Sequence, residues 1–78
     1  MNFVKLANGL IINYGKVIIS DNHDISYQMP YTGDSFILVS IENNVNYIVN
    51  TSIHSNTGFS YITNASNGMN FMFIAIGT

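Results

Sequence analysis

Residues 69–77, Met-Asn-Phe-Met-Phe-Ile-Ala-Ile-Gly, decide the fold of this chain. Side chains alternate between the two faces of a β-strand. The two faces of this stretch carry Met69, Phe71, Phe73 and Ala75 on one side, and Asn70, Met72, Ile74 and Ile76 on the other. Because nearly all of these side chains are apolar, neither face can lie in water at low cost. The stretch therefore predicts a central strand that is covered on both sides.

The composition around this strand is poor in charge. The chain has 78 residues and no cysteine, which predicts one domain, residues 1–78, near the lower size limit for folding without disulfides. Charged residues make up 8% of it, against roughly 25% in ordinary soluble domains. A folded monomer of this mass exposes about 4,700 Å². The formal charges that must keep this surface polar are Lys5, Lys16, Asp21, Asp24, Asp34 and Glu42. So few charges indicate that some apolar surface faces another subunit.

The charge balance also excludes several classes of partner. The net charge is −2, with two lysines and no arginine. Nucleic-acid binding and recognition of anionic membranes both need clustered cations, so neither is expected.

The longest apolar run, residues 71–76, is far shorter than the roughly 20 residues of a membrane-spanning helix. No signal peptide is expected at the start of the sequence.

Short strands separated by turn residues account for the rest of the chain. Isoleucine, valine, tyrosine, phenylalanine and threonine dominate, and no stretch has the apolar spacing of a helix. The predicted strands are residues 3–6, 10–19, 25–29, 35–42, 45–53, 57–63 and 69–77. Six or seven strands at spacings of about ten residues predict an all-β fold, a small antiparallel β-sandwich.

Several local features refine this prediction. Asn8-Gly9 predicts a tight turn because both residue types tolerate positive φ. Gly15 predicts a β-bulge or a close backbone approach. His23-Asp24 is expected to serve a polar turn, and Asn43-Asn44 another.

The strand at residues 45–53 alternates between apolar and polar side chains. This alternation predicts an inward set of Val45, Tyr47, Val49, Thr51 and Ile53, and an outward set of Asn46, Asn50, Ser52 and His54.

Four stretches of the sequence, taken in order, resemble a known family. They are Asn-Gly-Leu-Ile-Ile-Asn-Tyr-Gly at residues 8–15, Tyr-Gln-Met-Pro-Tyr at 27–31, Asn-Thr-Gly-Phe at 56–59 and Phe-Ile-Ala-Ile-Gly at 73–77. Together they resemble the small C-terminal domain that ends many phage and prophage tail fibres. Tyr14 and Phe73 stand where that family usually has tryptophan, and Met29 stands where it has phenylalanine. All three keep a bulky side chain and are expected to be packing substitutions.

The resemblance implies a fold, an assembly and a function. The fold would be an H-type-lectin-like sandwich that assembles as a homotrimer. The function would be that of a non-catalytic receptor-binding tip of a phage, prophage or tailocin tail fibre that recognises a cell-surface carbohydrate. Such a tip would belong to a virion or a phage-tail-like particle and would be made in the bacterial cytoplasm. Two alternatives stay open: a structural module that trimerises and caps the fibre, and a free-standing H-type-like lectin.

Sugar recognition usually combines an aromatic platform with neutral or anionic hydrogen-bonding groups. Tyr31 with Asp34, and Tyr61 with Asn56 or Asn64, supply that combination in the sequence. Tyrosine and asparagine are also ordinary residues of sandwich cores and turns. The loops as a class are therefore the expected ligand-binding region.

His54 is the other candidate for ligand binding. On the outward face of its strand it could hydrogen-bond a sugar hydroxyl. Three copies near a trimer axis could instead bind a metal ion, and a simple exposed histidine is the third possibility.

Catalytic motifs are not expected. Residues 58–62, Gly-Phe-Ser-Tyr-Ile, come close to a nucleophile elbow but lack its final glycine and its strand-to-helix context. The sequence has no zinc-binding His-Glu-x-x-His and no glycine-rich phosphate loop. We therefore predict no enzyme activity and no cofactor, and the sequence names no metal-binding residue of a single chain.

Overall fold

Two antiparallel β-sheets make up the described part of the chain. The structure is a computed structural model and describes residues 1–41 and 46–78. Within these ranges seven strands form: β1 (Asn2–Lys5), β2 (Ile11–Ile18), β3 (Asp24–Ser26), β4 (Ser35–Ser40), β5 (Val49–His54), β6 (Gly58–Thr63) and β7 (Asn70–Gly77). Among the same residues there is no helix long and apolar enough to cross a membrane. The prediction of an all-β chain with six or seven antiparallel strands is confirmed.

The C-terminal strand β7 lies in the middle of the larger sheet. The four-stranded sheet has the order β1-β2-β7-β4, and the three-stranded sheet has the order β3-β6-β5. Ala75 of β7 lies opposite Asn13 of β2 on one side and Ile37 of β4 on the other. The prediction that residues 69–77 form a central strand is therefore confirmed for Asn70–Gly77, but its predicted cover on both sides is found on one side only.

The core lies between the two sheets and is rich in aromatic rings. Phe71, Phe73 and Ala75 point inward from β7 and are buried. Phe73 packs on Phe59 of β6 with ring centroids 5.1 Å apart, and Phe71 packs on Tyr61 at 4.8 Å. Such edge-on and tilted pairs add attraction beyond the burial of their area. Contacts between the inward aromatic side chains of β7 and β6 thus join the two sheets.

Asn13 is the buried polar residue of this core. Its side-chain amide donates to the Met29 carbonyl oxygen at 2.8 Å, and its Oδ1 accepts from the Met29 N–H at 3.0 Å. Burying an amide is favourable only when its donors and acceptors are paired. Asn13 therefore ties the segment before Pro30 to the centre of the four-stranded sheet.

Several strand ends differ from the prediction. β3 ends at Ser26 rather than at residue 29, although the Tyr27 N–H donates to the Thr57 carbonyl at 2.8 Å, one step further along the same pairing. β5 begins at Val49, and residues 46–48 are not strand. The predicted turn at Asn43-Asn44 and the inward position of Val45 lie outside the described residues.

The turn at Asn8-Gly9 is longer than a two-residue hairpin. The Leu6 N–H donates to the Leu10 carbonyl at 2.8 Å, and the Gly9 N–H donates to the Leu6 carbonyl at 3.0 Å. Gly9 has a φ of 90°, whereas Asn8 keeps a negative φ. This is the three-residue loop in which a turn is followed by one left-handed residue.

Gly15 meets one of its two predicted roles. The pairing of β2 with β7 runs without a shift through Gly15, so no bulge forms there. A Cβ atom at this position would lie 3.3 Å from the Cα of Met1. The close backbone approach is therefore confirmed.

A β-bulge in β5 overturns two predicted orientations. Thr51 lies opposite Tyr61 and Ile53 lies opposite Ser60, so Ser52 is an extra residue. One extra residue reverses the alternation of side chains beyond it. Ile53, predicted to point inward, is 66% exposed on the outer face. His54, predicted to point outward, lies opposite the inward-facing Phe59 at the edge of the sandwich.

The outer side of the four-stranded sheet is apolar. We call it the apolar face; its side chains are Val4, Ile12, Tyr14, Ile18, Phe36, Leu38, Met72, Ile74 and Ile76. Leu38 is 63% exposed and Phe36 58%. A single copy of the chain therefore covers one face of β7 and leaves the other open.

Candidate functional site

The outer side of the three-stranded sheet differs from the apolar face, because it carries a polar groove of about 180 Å³. We call it the hydroxyl groove. Its outward side chains are Asp24, Ser26, Ile53, Ser55, Thr57 and Ser60. It is smaller than the roughly 300–1,000 Å³ of pockets that enclose drug-sized ligands. Its size and openness suit one small polar unit of a longer molecule.

A carboxylate lies at one wall of the hydroxyl groove. Asp24 and Ser60 are cross-strand partners, and Ile53 lies opposite Ser60 on the other side. The Ser60 hydroxyl donates to Asp24 Oδ1 at 2.6 Å, which fixes the carboxylate. Asp24 is exposed and can accept further hydrogen bonds from a ligand. Ile53 adds an apolar surface beside these polar groups.

Gly58 forms the floor of the groove. It lies opposite Ser26, and its carbonyl accepts the Ser55 N–H at 2.9 Å. A Cβ atom at Gly58 would collide with the carbonyl oxygen of Ile25. The close approach of β3 and β6 thus requires glycine at position 58. Because Gly58 has no side chain, the space between Ser26 and Ser55 stays open.

The turn at residues 54–57 holds its hydroxyl groups in place. Ser55 Oγ lies 3.3 Å from Thr57 Oγ1 and accepts the Thr57 N–H at 3.3 Å. Serine and threonine commonly stabilise turns in this way. Both hydroxyls remain at the surface of the groove, where they are oriented before any ligand arrives.

The two tyrosines predicted to form a sugar platform are core residues. Tyr31 is 3% exposed and Tyr61 is 1% exposed. The Tyr31 hydroxyl donates to the Ala75 carbonyl at 2.6 Å, and the Tyr61 ring stacks on His23 with centroids 4.5 Å apart. Neither ring presents a face to solvent, so the prediction that they contact a ligand is wrong for this structure. Both occupy inward positions, where a large apolar ring is buried.

The other three predicted site residues are exposed near one another at one end of the sandwich. His54 Nε2 lies 3.3 Å from the hydroxyl of Ser35, the neighbour of Asp34 in the chain. The backbone carbonyl of Asn56 accepts the Tyr31 N–H at 2.8 Å. Asp34, His54 and Asn56 thus border the same loops, and their role in ligand binding stays a prediction. Asn64, the other predicted amide, accepts the Ile48 N–H with its Oδ1 at 2.9 Å.

Sequence reasoning missed the hydroxyl groove. The alternation Asp24-Ile25-Ser26 is a signal that could have placed both polar residues on the outer face, but Asp24 was expected to serve only a turn. Ile53 could not be found, because its outward position depends on the bulge at Ser52. The meeting of β3 with the turn at residues 54–57 is a tertiary contact.

Within the described ranges, metal-ligating side chains do not cluster, and the near match to a nucleophile elbow is part of a strand. No three histidine, aspartate or glutamate side chains of residues 1–41 and 46–78 lie close enough to hold a metal ion. Residues 58–62 lie within β6, so they do not form the sharp turn of a nucleophile elbow. The Ser60 hydroxyl is bonded to a carboxylate and not to an imidazole.

Compared with known proteins, the chain matches no family model, no curated protein and no solved structure. The resemblance to tail-fibre C-terminal domains therefore stays a prediction that rests on the four quoted stretches.

Proposed function

We propose that this chain is the non-catalytic receptor-binding tip of a phage, prophage or tailocin tail fibre. In this proposal a trimer of the chain attaches the fibre to a cell-surface glycan. The hydroxyl groove is the observation that carries the proposal, and the sequence resemblance supplies the biological setting.

The chemistry of the groove fits a sugar. Hydroxyl groups of Ser26, Ser55 and Thr57 can both donate and accept hydrogen bonds, as sugar hydroxyls do. The Asp24 carboxylate accepts hydrogen bonds that are stronger than those of neutral acceptors. Ile53 offers an apolar patch for the C–H face of a sugar ring. The groove is open, so a polysaccharide can enter without its ends being enclosed.

Weak single sites of this kind gain from repetition. A groove of about 180 Å³ contacts little of a ligand, so the affinity of one site is expected to be low. Three linked copies, and several fibres on one particle, raise the overall avidity by orders of magnitude. A multimeric tip is thus well suited to a repetitive surface polysaccharide.

Binding of the native assembly to surface polysaccharides tests the proposal. We expect Asp24→Asn to weaken retention on the polysaccharide by roughly tenfold or more, since hydrogen bonds to charged groups contribute about 1.5–3 kcal/mol. Asp34→Asn is the matched control, because it makes the same change of charge at an exposed carboxylate outside the groove.

Each outcome assigns the site. Loss of binding in Asp24→Asn alone supports the groove. Loss in Asp34→Asn or His54→Ala alone moves the ligand to the loop end of the sandwich and removes the groove from the proposal. If no surface polysaccharide and no candidate host cell retains the wild-type protein as an avid multimer, the adhesion proposal fails.

A structural cap of the fibre is a second candidate, and the apolar face favours it. An exposed apolar sheet serves self-association whether or not a ligand binds elsewhere. Deletion of the domain from a fibre distinguishes the two functions. A cap predicts misassembled, insoluble fibre, whereas an adhesin predicts intact fibre that no longer attaches to cells.

A further inference from the structure

We propose that the apolar face is covered by the apolar faces of further copies of this chain, so that the four-stranded sheets of neighbouring copies pack against one another. This inference deepens the proposed function by naming the surface through which the copies associate. The proposed function supplies only the number of copies, three. The proposed interface does not depend on the hydroxyl groove.

The registers of the strands show how continuous the face is. One row across the sheet consists of Val4, Ile12, Ile76 and Phe36. The next row consists of Asn2, Tyr14, Ile74 and Leu38. Apolar side chains therefore run across all four strands in the first row, and across three strands in the second, where Asn2 of β1 is polar. In the next row Lys16 and Ser40 flank Met72.

Folding of a single copy does not bury these side chains. The accessible surface of the chain is 4897 Å², close to the roughly 4,700 Å² of a compact monomer of this mass. The inner side chains of the same strands already fill the space between the two sheets. The described residues thus leave the outer side chains open to water.

The size of the face is sufficient for a substantial contact. Four strands about 4.8 Å apart and four to eight residues long span roughly 400 Å² in projection. Corrugation by side chains makes the accessible area larger than the projection. A stable interface buries about 800 Å² on each partner, so this face supplies most of that area.

The chemistry of the face favours another copy as the occupant. Lys16 is the charged residue among the outward residues of the described sheet, and it lies outside the two apolar rows. An interface between identical copies would therefore set no like charges at its centre. The cores of homomeric interfaces are depleted in charge in this way. An anionic membrane, in contrast, would require a cluster of cations that the face lacks.

Packing through this face leaves the hydroxyl groove free. The groove lies on the outer side of the three-stranded sheet, across the core from the apolar face. Each copy would then turn its groove away from the centre of the assembly. Self-association and ligand binding would use opposite surfaces of one small domain.

The mass of the native assembly tests the interface, with three lysine substitutions. Ile74→Lys and Leu38→Lys place a charge within the apolar rows, whereas the control Ile62→Lys changes an isoleucine of β6 that is 53% exposed on the other sheet. We expect the wild type and Ile62→Lys to have a mass of at least twice 8.6 kDa. We expect Ile74→Lys and Leu38→Lys to fall to 8.6 kDa, with circular dichroism of a folded β-protein.

Other results would overturn the inference. A monomeric wild type does so, including one that binds lipid vesicles or a different protein through this face. Dissociation of Ile62→Lys to the same extent as Ile74→Lys does so as well. If Ile74→Lys fails to fold, Leu38→Lys decides, because Leu38 is 63% exposed. An assembled wild type that binds no glycan would overturn the proposed function and leave this interface standing.

Discussion

Tyr27 buries a hydroxyl group for which the described residues offer no hydrogen-bond partner. The ring packs against Phe59 and lies edge-on to Tyr31. Burial, with a smaller contribution from the neighbouring Tyr31, raises the pKa of Tyr27 to about 12. The folded protein therefore holds this proton more tightly than the unfolded chain, whose tyrosines have a pKa of about 10.

This difference predicts a loss of stability at alkaline pH. Below pH 10 both states keep the proton, so Tyr27 contributes no pH dependence. Between pH 10 and about 12 only the unfolded chain releases it, and the free energy of unfolding falls by up to about 1.4 kcal/mol per pH unit. Denaturant unfolding at a series of pH values measures this slope.

Tyr27→Phe is the matched variant for this measurement, because it keeps the ring and removes the hydroxyl. We expect it to be as stable as the wild type or more stable at neutral pH, since no described hydrogen bond is lost. Its free energy of unfolding should fall less steeply above pH 10. Identical alkaline slopes in the two proteins would show that Tyr27 is not the group responsible.

At the scale of the element, the two faces of β7 have different surroundings. Phe73 points into the core and is buried, whereas Ile74 points into the apolar face. The same alternation holds in β4, where Phe36 is exposed and Ile37 packs against the core. The same substitution can therefore be made at an inward position of one strand and at an outward position of the other, and its effects on stability can be compared.

Phe73→Asn and Phe36→Asn exploit this alternation. Phe73→Asn removes a buried ring and leaves a buried amide without a partner, so we expect a loss of several kcal/mol, enough to prevent folding. Phe36→Asn should leave the fold intact because the ring lies outside the core. Thermal unfolding followed by circular dichroism compares the two.

Wild-type melting of a soluble Phe73→Asn protein would show that the faces of β7 are assigned wrongly. Failure of Phe36→Asn to fold would instead show that β4 depends on its outer side chains even within one copy.

β5 shows where reasoning about a single strand stops. Regular alternation predicted Ile53 inward and His54 outward, and the structure has the reverse because Ser52 is an extra residue. A bulge depends on how a strand pairs with its partner, and the pairing of β5 with β6 is not encoded in the period of β5 alone. The same reversal brings Ile53 to the hydroxyl groove.

At the scale of the whole molecule, the sandwich has two unlike outer sides. The four-stranded sheet presents the apolar face, and the three-stranded sheet presents the hydroxyl groove. This arrangement separates the surface proposed for self-association from the surface proposed for ligand binding. A change on one side can therefore be tested without disturbing the other.

An assembly held by the apolar face should resist salt. Raising sodium chloride to about 1 M shortens the screening length to roughly 3 Å and weakens contacts between exposed charges, but it does not weaken apolar burial. We expect the native mass to be unchanged across this range, measured by light scattering. Dissociation at high salt would show that ion pairs join the copies.

Most of the fold could be predicted from the sequence. The apolar alternation of residues 69–77 predicted the central strand, and turn residues at regular spacing predicted the two-sheet sandwich. The site could be predicted only in part. Asp34, His54 and Asn56 are exposed at one end of the sandwich, whereas Tyr31 and Tyr61 are buried in the core. The sequence could not reveal this burial, because an aromatic residue that contacts a ligand and one that fills a core look the same in a sequence.

The sequence by itself determined which strands exist and which of their faces are apolar, since both follow from the period of side chains along a strand. The tertiary structure decided which apolar face the core covers and which stays open. It also decided that Asp24, Ser26 and Ser55 meet across Gly58. These contacts join residues far apart in the chain, and only the packing of one strand against another brings them together.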